Sequence, residues 1–211
     1  TEKLLGAIIC EDFKWKEHLL NHEESVVRQL TSRINGLTKV CCSASQKTRL
    51  RVANGIFISK LCYLVELWGG CEGYLISALQ VLQNRAARAV LRRSWFTPTR
   101  RLLAECKWLS VKQLVFYHGV ISTHKTITTG TPRYMHRVLN TIHPLNTRQA
   151  AGGDIRIGEQ FNSKQGLVRD GFRYRAAENY NRVPGHIRAS RTLATFKIKL
   201  KQWVSTNIPI D

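Results

Sequence analysis

Residues Leu79–Arg101 read LQVLQNRAARAVLRRSWFTPTRR, and this stretch predicts a helix with two different faces. Its apolar residues recur at the three- and four-residue spacing that places side chains on one face of a helix. Those residues are Leu79, Leu82, Ala86, Ala89 and either Val90 or Leu91. The arginines form a second stripe that continues past the predicted helix end, namely Arg85, Arg88, Arg92, Arg93, Arg100 and Arg101. Because no acidic residue lies between Gly73 and Ala104, this pattern is typical of a surface for a polyanion, with a merely solvated basic face as the alternative.

The rest of the chain predicts a mainly α-helical protein with a short N-terminal strand. The strand covers Leu4–Cys10, whose residues are mostly apolar and partly β-branched. Helices are predicted over about 14–40, from Ser43 or Ser45 to Leu64, over 75–92, from Thr97-Pro98 to Cys106, from Ser110 to about Thr128, from Pro132 to Leu139, over about 172–181, and from about Thr192. Asp12, either Ser43 or Ser45, and Thr97 are predicted N-caps, and Ser110 with Gln113 forms a predicted capping box. Trp68 and Trp203 occupy apolar-stripe positions and are expected in the core.

Three regions follow from this pattern. Residues 1–13 form the strand and its exit, residues 14–93 form a helical bundle, and residues 94–211 form a basic helical extension. Within the extension, residues 141–170 are loosely organised because four glycines interrupt them, and Ile155–Ile157 is at most a minor strand.

The charge of the chain is far from balanced. The 211 residues carry a formal net charge of +19, and the sequence pI is about 10.2. Six of the 14 acidic residues fall within the first 24 positions, so the remainder of the chain carries 30 Lys and Arg against eight acids. Such an excess favours a nucleic-acid partner first, and an anionic membrane or an acidic protein second.

The cysteines indicate a reducing compartment. The six thiols lack the C-x-x-C spacing of metal or redox sites, and adjacent Cys41 and Cys42 have poor geometry for a disulfide. We therefore expect reduced thiols in a nuclear or cytoplasmic protein, with no signal peptide and no transmembrane run. The chain begins at Thr1 and its single methionine is Met135, so we expect a fragment, a processed product or part of a longer polyprotein.

No catalytic or metal site is predicted in this chain. His18 and His22 have the spacing of a helical ligand pair but lack the central glutamate of H-E-x-x-H, so helix-surface histidines are expected. His118 and His124 have no neighbouring cysteines or carboxylates. Glu11 and Asp12 would need carboxylates from other elements to build a two-metal site. Basic residues instead alternate with rings at Lys14-Trp15-Lys16, Arg93-Ser94-Trp95-Phe96, Lys107-Trp108 and Arg173-Tyr174-Arg175, a composition that favours phosphate contacts and base stacking.

Four blocks of this sequence resemble a known family. LGAII at 5–9 followed by FKWKEHL at 13–19 resembles the palm–thumb junction of reverse transcriptases from non-LTR (LINE-type, Jockey-like) retrotransposons. LQVLQNRAARAVL at 79–91 is similar to the region just beyond the thumb, LLAECKWL at 102–109 with Leu114–His118 continues the match, and FRYRAAENYNRVP at 172–184 resembles the C-terminal motif. Cys10, Ala177 and Tyr180 replace the Asp, Pro and Trp that are usual in the family.

The resemblance implies a polymerase thumb and C-terminal region without the catalytic palm. Residues 14–93 would be thumb-like, and Mg²⁺ would be bound only by palm aspartates that this sequence lacks. The expected partners are an RNA–DNA hybrid, RNA or DNA, together with the palm and fingers of the parent polymerase, and no membrane. Residues expected to bind nucleic acid are Lys14, Lys16, Arg28, Arg33, Lys47, Arg49, Arg85, Arg88, Arg92, Arg93, Arg100 and Arg101.

Two other functions remain open from the sequence. A stand-alone helical DNA- or RNA-binding protein, such as one domesticated from an element of this kind, would use the same surface without a polymerase. A basic scaffold would instead bind an acidic protein or a membrane partner.

Overall fold

A computed structural model of the chain describes residues 1–40, 43–139 and 171–210. Within these ranges the protein is mainly α-helical, with a short two-stranded antiparallel sheet at its N-terminus, which confirms the predicted fold class. The predictions for Cys41, Cys42 and the loose segment 141–170, with its minor strand, lie outside the described residues.

The N-terminal strand prediction was wrong in one respect, because the segment is a hairpin. Strand β1 (Glu2–Leu4) pairs antiparallel with β2 (Ala7–Ile9), with Leu4 opposite Ala7. Leu5 and Gly6 form the turn with φ of 47° and 79°, and two positive φ values are the mark of the tight turn that matches strand twist. Only β2 is buried, at Ala7 and Ile8, whereas the residues of β1 are exposed. The predicted apolar strand is therefore divided between a buried strand and an exposed one.

The helix predicted over residues 14–40 is interrupted. A π-helix covers Glu17–Asn21, and helix α1 covers Val26–Val40. The residues between them, from His22 to Ser25, are not helical. The break includes Glu23, near which the three- and four-residue spacing of the apolar residues is interrupted. Asp12 does not cap a helix, since its Oδ1 accepts the backbone N–H of Lys14 at 3.0 Å and closes a local turn instead.

The second predicted helix is built of several shorter pieces. Helix α2 (Gln46–Ala53) begins at Ser45, whose hydroxyl accepts the Thr48 N–H at 3.2 Å and so confirms one of the two predicted caps. A π-helix (Asn54–Ile58) follows, in which the Ser59 N–H bonds to the Asn54 carbonyl, and α3 (Ser59–Leu61) continues from it. Helix α4 covers Val65–Trp68, and Trp68 is fully buried as predicted.

Helices α5 (Gly73–Leu91) and α6 (Thr99–Cys106) share an apolar core. Ala87 and Leu91 of α5 pack with Leu102 and Cys106 of α6, and Leu50 and Trp108 cover this cluster. Helix α6 starts two residues after Thr97, so the predicted threonine cap was wrong. Thr97 instead closes the turn between the two helices through its N–H to the Ser94 carbonyl.

Helix α7 (Val111–Thr129) begins with the predicted capping box. The Gln113 N–H donates to Ser110 Oγ at 3.3 Å, and the Ser110 N–H donates to Gln113 Oε1 at 3.0 Å. The remaining described helices are α8 (Arg133–Leu139), α9 (Phe172–Arg182), α10 (Gly185–Arg188) and α11 (Leu193–Asn207). Helix α11 begins at the predicted position, where Thr192 caps it by accepting the Thr195 N–H on its hydroxyl at 3.2 Å.

Contacts between backbone segments divide the chain into two compact units, 1–114 and 115–209. The first unit therefore continues through α6, past the boundary near residue 93 that the sequence suggested. The core of the second unit includes Phe196, Leu200 and Val204 of α11. Trp203 is half-buried, with its ring centroid 5.8 Å from that of Phe116. No helix in the described ranges combines the length and the apolar character that a membrane crossing requires.

Candidate nucleic-acid interface

A groove of about 350 Å³ lies in the first unit between α1 and α5. Helix α1 lines it with Ile34, Asn35 and Thr38, helix α5 with Arg85, Arg88 and Ala89, and the segment after α5 with Arg93 and Trp95. We call this feature the α1–α5 groove. Its lining combines three arginines, one indole ring and two uncharged polar side chains, and contains no carboxylate.

Helix α5 has the two faces that its sequence predicts. Its core face is buried at Leu79, Leu82, Ala86, Val90 and Leu91. Gln83, which is fully buried, donates to the Leu109 carbonyl at 2.9 Å and attaches the helix to the start of α7. Since this face is held inside the first unit, the arginine stripe is directed outward.

Arg88 is the best-defined cation of the groove. Its guanidinium lies over the Trp95 ring, with Cζ 4.8 Å from the ring centroid. Its Nη2 donates to the Thr97 carbonyl at 3.2 Å, while its buried Nε has no hydrogen-bond partner among the described residues. Stacking on an aromatic face orients the planar guanidinium at the edge of the groove.

Arg93 and Arg101 are already paired with a carboxylate. Glu105 accepts from Arg93 Nη2 and Arg101 Nε, each at 3.0 Å. The hydrogen bond from Arg93 is the main cause that lowers the Glu105 pKa, and Arg101 adds to it. Glu105 lies just beyond the acid-free stretch 74–103, so the charge pattern did not indicate that it would neutralise part of the arginine stripe.

Two further arginines expected to contact nucleic acid bind the protein's own backbone. Arg49 is buried, and it donates from Nε to the Val90 carbonyl at 2.6 Å and from Nη1 to the Ala44 carbonyl at 2.5 Å. The half-buried Arg33 donates from Nη1 to the Ile56 carbonyl. These side chains fix the packing of the first unit, and they are not part of the interface that we propose below.

The other predicted cations are exposed: Lys14, Lys16, Arg28, Lys47, Arg92 and Arg100. None of them lines the α1–α5 groove. Arg28 precedes the groove residue Asn35 by seven positions, so it lies on the same face of α1, about 10 Å along the helix axis. Asn84 Nδ2 donates to Thr99 Oγ1 at 2.9 Å. These two residues directly precede Arg85 and Arg100, so the two arginines start from neighbouring points of α5 and α6.

Two histidines are buried, which corrects the expectation of a helix-surface His18, while His22 is half-buried. His18 is buried, and its Nδ1 accepts the Ile8 N–H of β2 at 3.3 Å while Trp15 packs edge-on against it. Burial, with a smaller effect of Lys60, lowers the His18 pKa to about 4. His124 is also buried, with its ring 3.7 Å from that of Phe196. A neutral imidazole can be buried, and both rings therefore lie on the apolar faces of their helices.

The described residues hold no metal cluster, and burial lowers the reactivity of two of their thiols. No three His, Cys, Asp or Glu side chains within them could hold a metal ion together. Burial raises the pKa of Cys62 to about 11, and burial with the nearby Glu105 carboxylate raises that of Cys106 to about 12. Both thiols are therefore protonated near neutral pH and are poor nucleophiles.

The part of the interface that sequence reasoning missed is the contribution of α1. Asn35 and Thr38 line the groove opposite the arginines, and Arg28 extends their face. Their helical spacing was a usable signal, but each residue alone is ordinary for an exposed helix.

No protein family, curated protein or solved structure that was compared with this chain matches it.

Proposed function

We propose that the chain binds nucleic acid through the α1–α5 groove and the arginines beside it. The observation that carries this proposal is the convergence of Arg85, Arg88 and Trp95 on one groove that no carboxylate lines. Arginine forks match phosphate geometry, and an adjacent aromatic ring orients one of them.

The chemistry favours recognition of the backbone over recognition of a base sequence. The side chains of Arg85 and Arg100 are exposed and form no hydrogen bond or ion pair with side chains or backbone in the described parts of the chain. Such cations give contacts that depend on charge and spacing, and these contacts carry no sequence information of their own. An RNA–DNA hybrid, RNA and DNA all offer the required phosphates.

We further propose that this binding serves the C-terminal, non-catalytic part of a non-LTR retrotransposon reverse transcriptase. The four resembling blocks support this, and two of them, with residues 102–109 of a third, fall within the first unit that also carries the groove. In that role the first unit grips template–primer hybrid and the rest of the chain contacts element RNA or target DNA. The palm and fingers would be its protein partners, with Mg²⁺ confined to the palm, in the nucleus or cytoplasm.

A salt titration tests the proposal. Affinity is measured for RNA–DNA hybrid, duplex DNA, duplex RNA and single strands of equal length, and log K is plotted against log salt. The double variant Arg85→Gln/Arg100→Gln is expected to weaken binding, and to reduce the slope on duplex DNA by about 0.9 for each phosphate that the protein no longer neutralises. A preference for the hybrid supports the template–primer role.

The matched control removes the same charge from the second unit. Lys125 and Lys199 are exposed, and their replacement by Gln lowers the net charge equally without touching the groove. An equal loss of affinity in both double variants would refute the groove as the interface. Failure of the unaltered protein to bind any of the four nucleic acids at moderate salt would refute nucleic-acid binding altogether.

A further inference from the structure

The turn between α5 and α6 presents two large aromatic side chains to solvent. Trp95 is 67% exposed and Phe96 is 90% exposed. Aromatic side chains of this size normally bury a large apolar area when a protein folds, and here the fold leaves that area uncovered. The two rings occupy the central positions of a four-residue turn that the Thr97 N–H closes onto the Ser94 carbonyl at 3.1 Å.

The turn is held in place from three sides. Arg88 donates to the Thr97 carbonyl and stacks on the Trp95 ring. The Arg93 N–H bonds to the Arg88 carbonyl at 3.2 Å, which closes the end of α5 onto the first residues of the turn. Asn84 of α5 holds Thr99 at the start of α6. The rings are therefore displayed by an ordered turn, which reduces the entropy that a partner would have to overcome.

The charge around the turn indicates what the partner is. Arg92 and Arg93 precede it, and Arg100 and Arg101 follow it in the sequence. Glu105 is the one carboxylate bound to these arginines in the described ion pairs, and Arg93 and Arg101 already share it. An apolar protein surface would have to desolvate this cationic surround, whereas a nucleotide brings a phosphate for the arginines and a flat base for a ring.

We infer that the Trp95–Phe96 turn is a stacking site for unpaired nucleobases. This inference rests on the proposed function and adds to it that the protein binds nucleic acid with unpaired bases. Phe96 offers a free ring on which a base can stack, and Trp95 carries the guanidinium of Arg88 on its ring. Bases inside a duplex have no free face, so the site takes bases from a single strand or from an unpaired extension of a duplex.

The test compares two strands that have the same phosphates and differ in their bases. Affinities are measured for an oligothymidylate and for an abasic oligodeoxynucleotide of equal length. Phe96→Ala is expected to weaken binding of oligothymidylate about fivefold or more, which corresponds to about 1 kcal/mol and is the lower end of stacking on one ring. The same variant should bind the abasic strand as the unaltered protein does, with an unchanged salt slope on both strands.

Two matched variants separate stacking from simple apolar contact. Phe96→Tyr keeps the aromatic face and is expected to retain binding, while Phe96→Leu keeps apolar bulk and is expected to lose it. Retained binding in Phe96→Leu, or an equal loss on the abasic strand, would overturn the inference and leave nucleic-acid binding intact. If the unaltered protein binds neither strand, the stacking site is refuted, while the proposed function is decided separately by binding to hybrid and duplex nucleic acids.

Discussion

Arg49 of α2 donates from Nε to the carbonyl oxygen of Val90, 41 residues further along the chain, at a distance of 2.6 Å. Val90 lies in the last turn of α5, where carbonyl groups lack partners inside the helix and the helix dipole favours a cation. A second bond from Nη1 to the Ala44 carbonyl joins the start of α2 to the same side chain. The guanidinium therefore connects three segments of the first unit.

Replacement of Arg49 by Met should lower the stability of the protein. It removes two charge-assisted hydrogen bonds and leaves two carbonyl groups without partners, so the free energy of unfolding is expected to fall by about 2–3 kcal/mol. Urea denaturation measures this change. Arg51→Met, an exposed arginine two positions further on, is the control and should change stability by no more than about 0.5 kcal/mol. Unchanged stability combined with a smaller salt slope in Arg49→Met would contradict the structural role.

Replacement of Glu105 by Gln should strengthen nucleic-acid binding. It removes the carboxylate that pairs with Arg93 and Arg101, so both guanidinium groups become available to phosphates. The expected result is higher affinity and a salt slope on duplex DNA that is steeper by up to about 2, since each additional phosphate that is neutralised adds about 0.9. The cost to stability is small, because ion pairs at a surface contribute about 0–1 kcal/mol.

The control for this prediction is Glu178→Gln on α9, which makes the same change in net charge at an exposed position of the second unit. It should raise affinity only slightly, through the general electrostatic attraction. If the two variants bind equally well, Glu105 does not compete with phosphate for its arginines.

The buried His18 should make the stability of the protein dependent on pH. Its pKa is about 4 in the folded protein against 6.5 for an unperturbed histidine, so the unfolded chain takes up a proton first as the pH falls. The stabilising effect of the neutral ring is fully present above about pH 6.5 and is lost as the pH falls toward 4, by up to about 3 kcal/mol. Denaturation at a series of pH values measures this loss.

His18→Gln provides the reference for that measurement. Glutamine can still accept the Ile8 N–H, but it does not titrate, so its unfolding free energy should fall less between pH 6.5 and 4. Burial also lowers the pKa of His118 and His124, and these residues act alike in both proteins. Parallel pH profiles for the two proteins would show that His18 is not a source of the acid instability.

Local signals in the sequence predicted those parts of the structure that depend on local interactions. The period of α5, the box formed by Ser110 and Gln113, and the Ser45 cap each need partners within four residues along the chain. The role of Arg49 depends on a carbonyl 41 residues away, and that of His18 depends on a strand N–H ten residues earlier. Spacing along the chain carries no information about such partners. In the sequence, an arginine that donates to a backbone carbonyl therefore cannot be distinguished from one that is available to bind phosphate.

The candidate interface follows the same division. The arginines of α5 were predicted because their helical spacing is visible in the sequence. The contribution of Asn35 and Thr38 was not, because it depends on how α1 packs against α5. The order of the Trp95–Phe96 turn likewise depends on Arg88, which belongs to the preceding helix.

The π-helix at Asn54–Ile58 makes the first unit sensitive to the deletion of a residue at this point of the chain. The same point has room for an added side-chain atom. The i to i+5 hydrogen bond of this π-helix includes one residue more than an α-helical turn, and the next element of the chain carries the buried Leu61. A side chain added at Gly55 would meet nothing within 4 Å. Deletion of Gly55 would instead close the segment as an ordinary α-helix and rotate the following residues by about 100°. The segment therefore has room for a Cβ at position 55, whereas its shortening would require the core to repack.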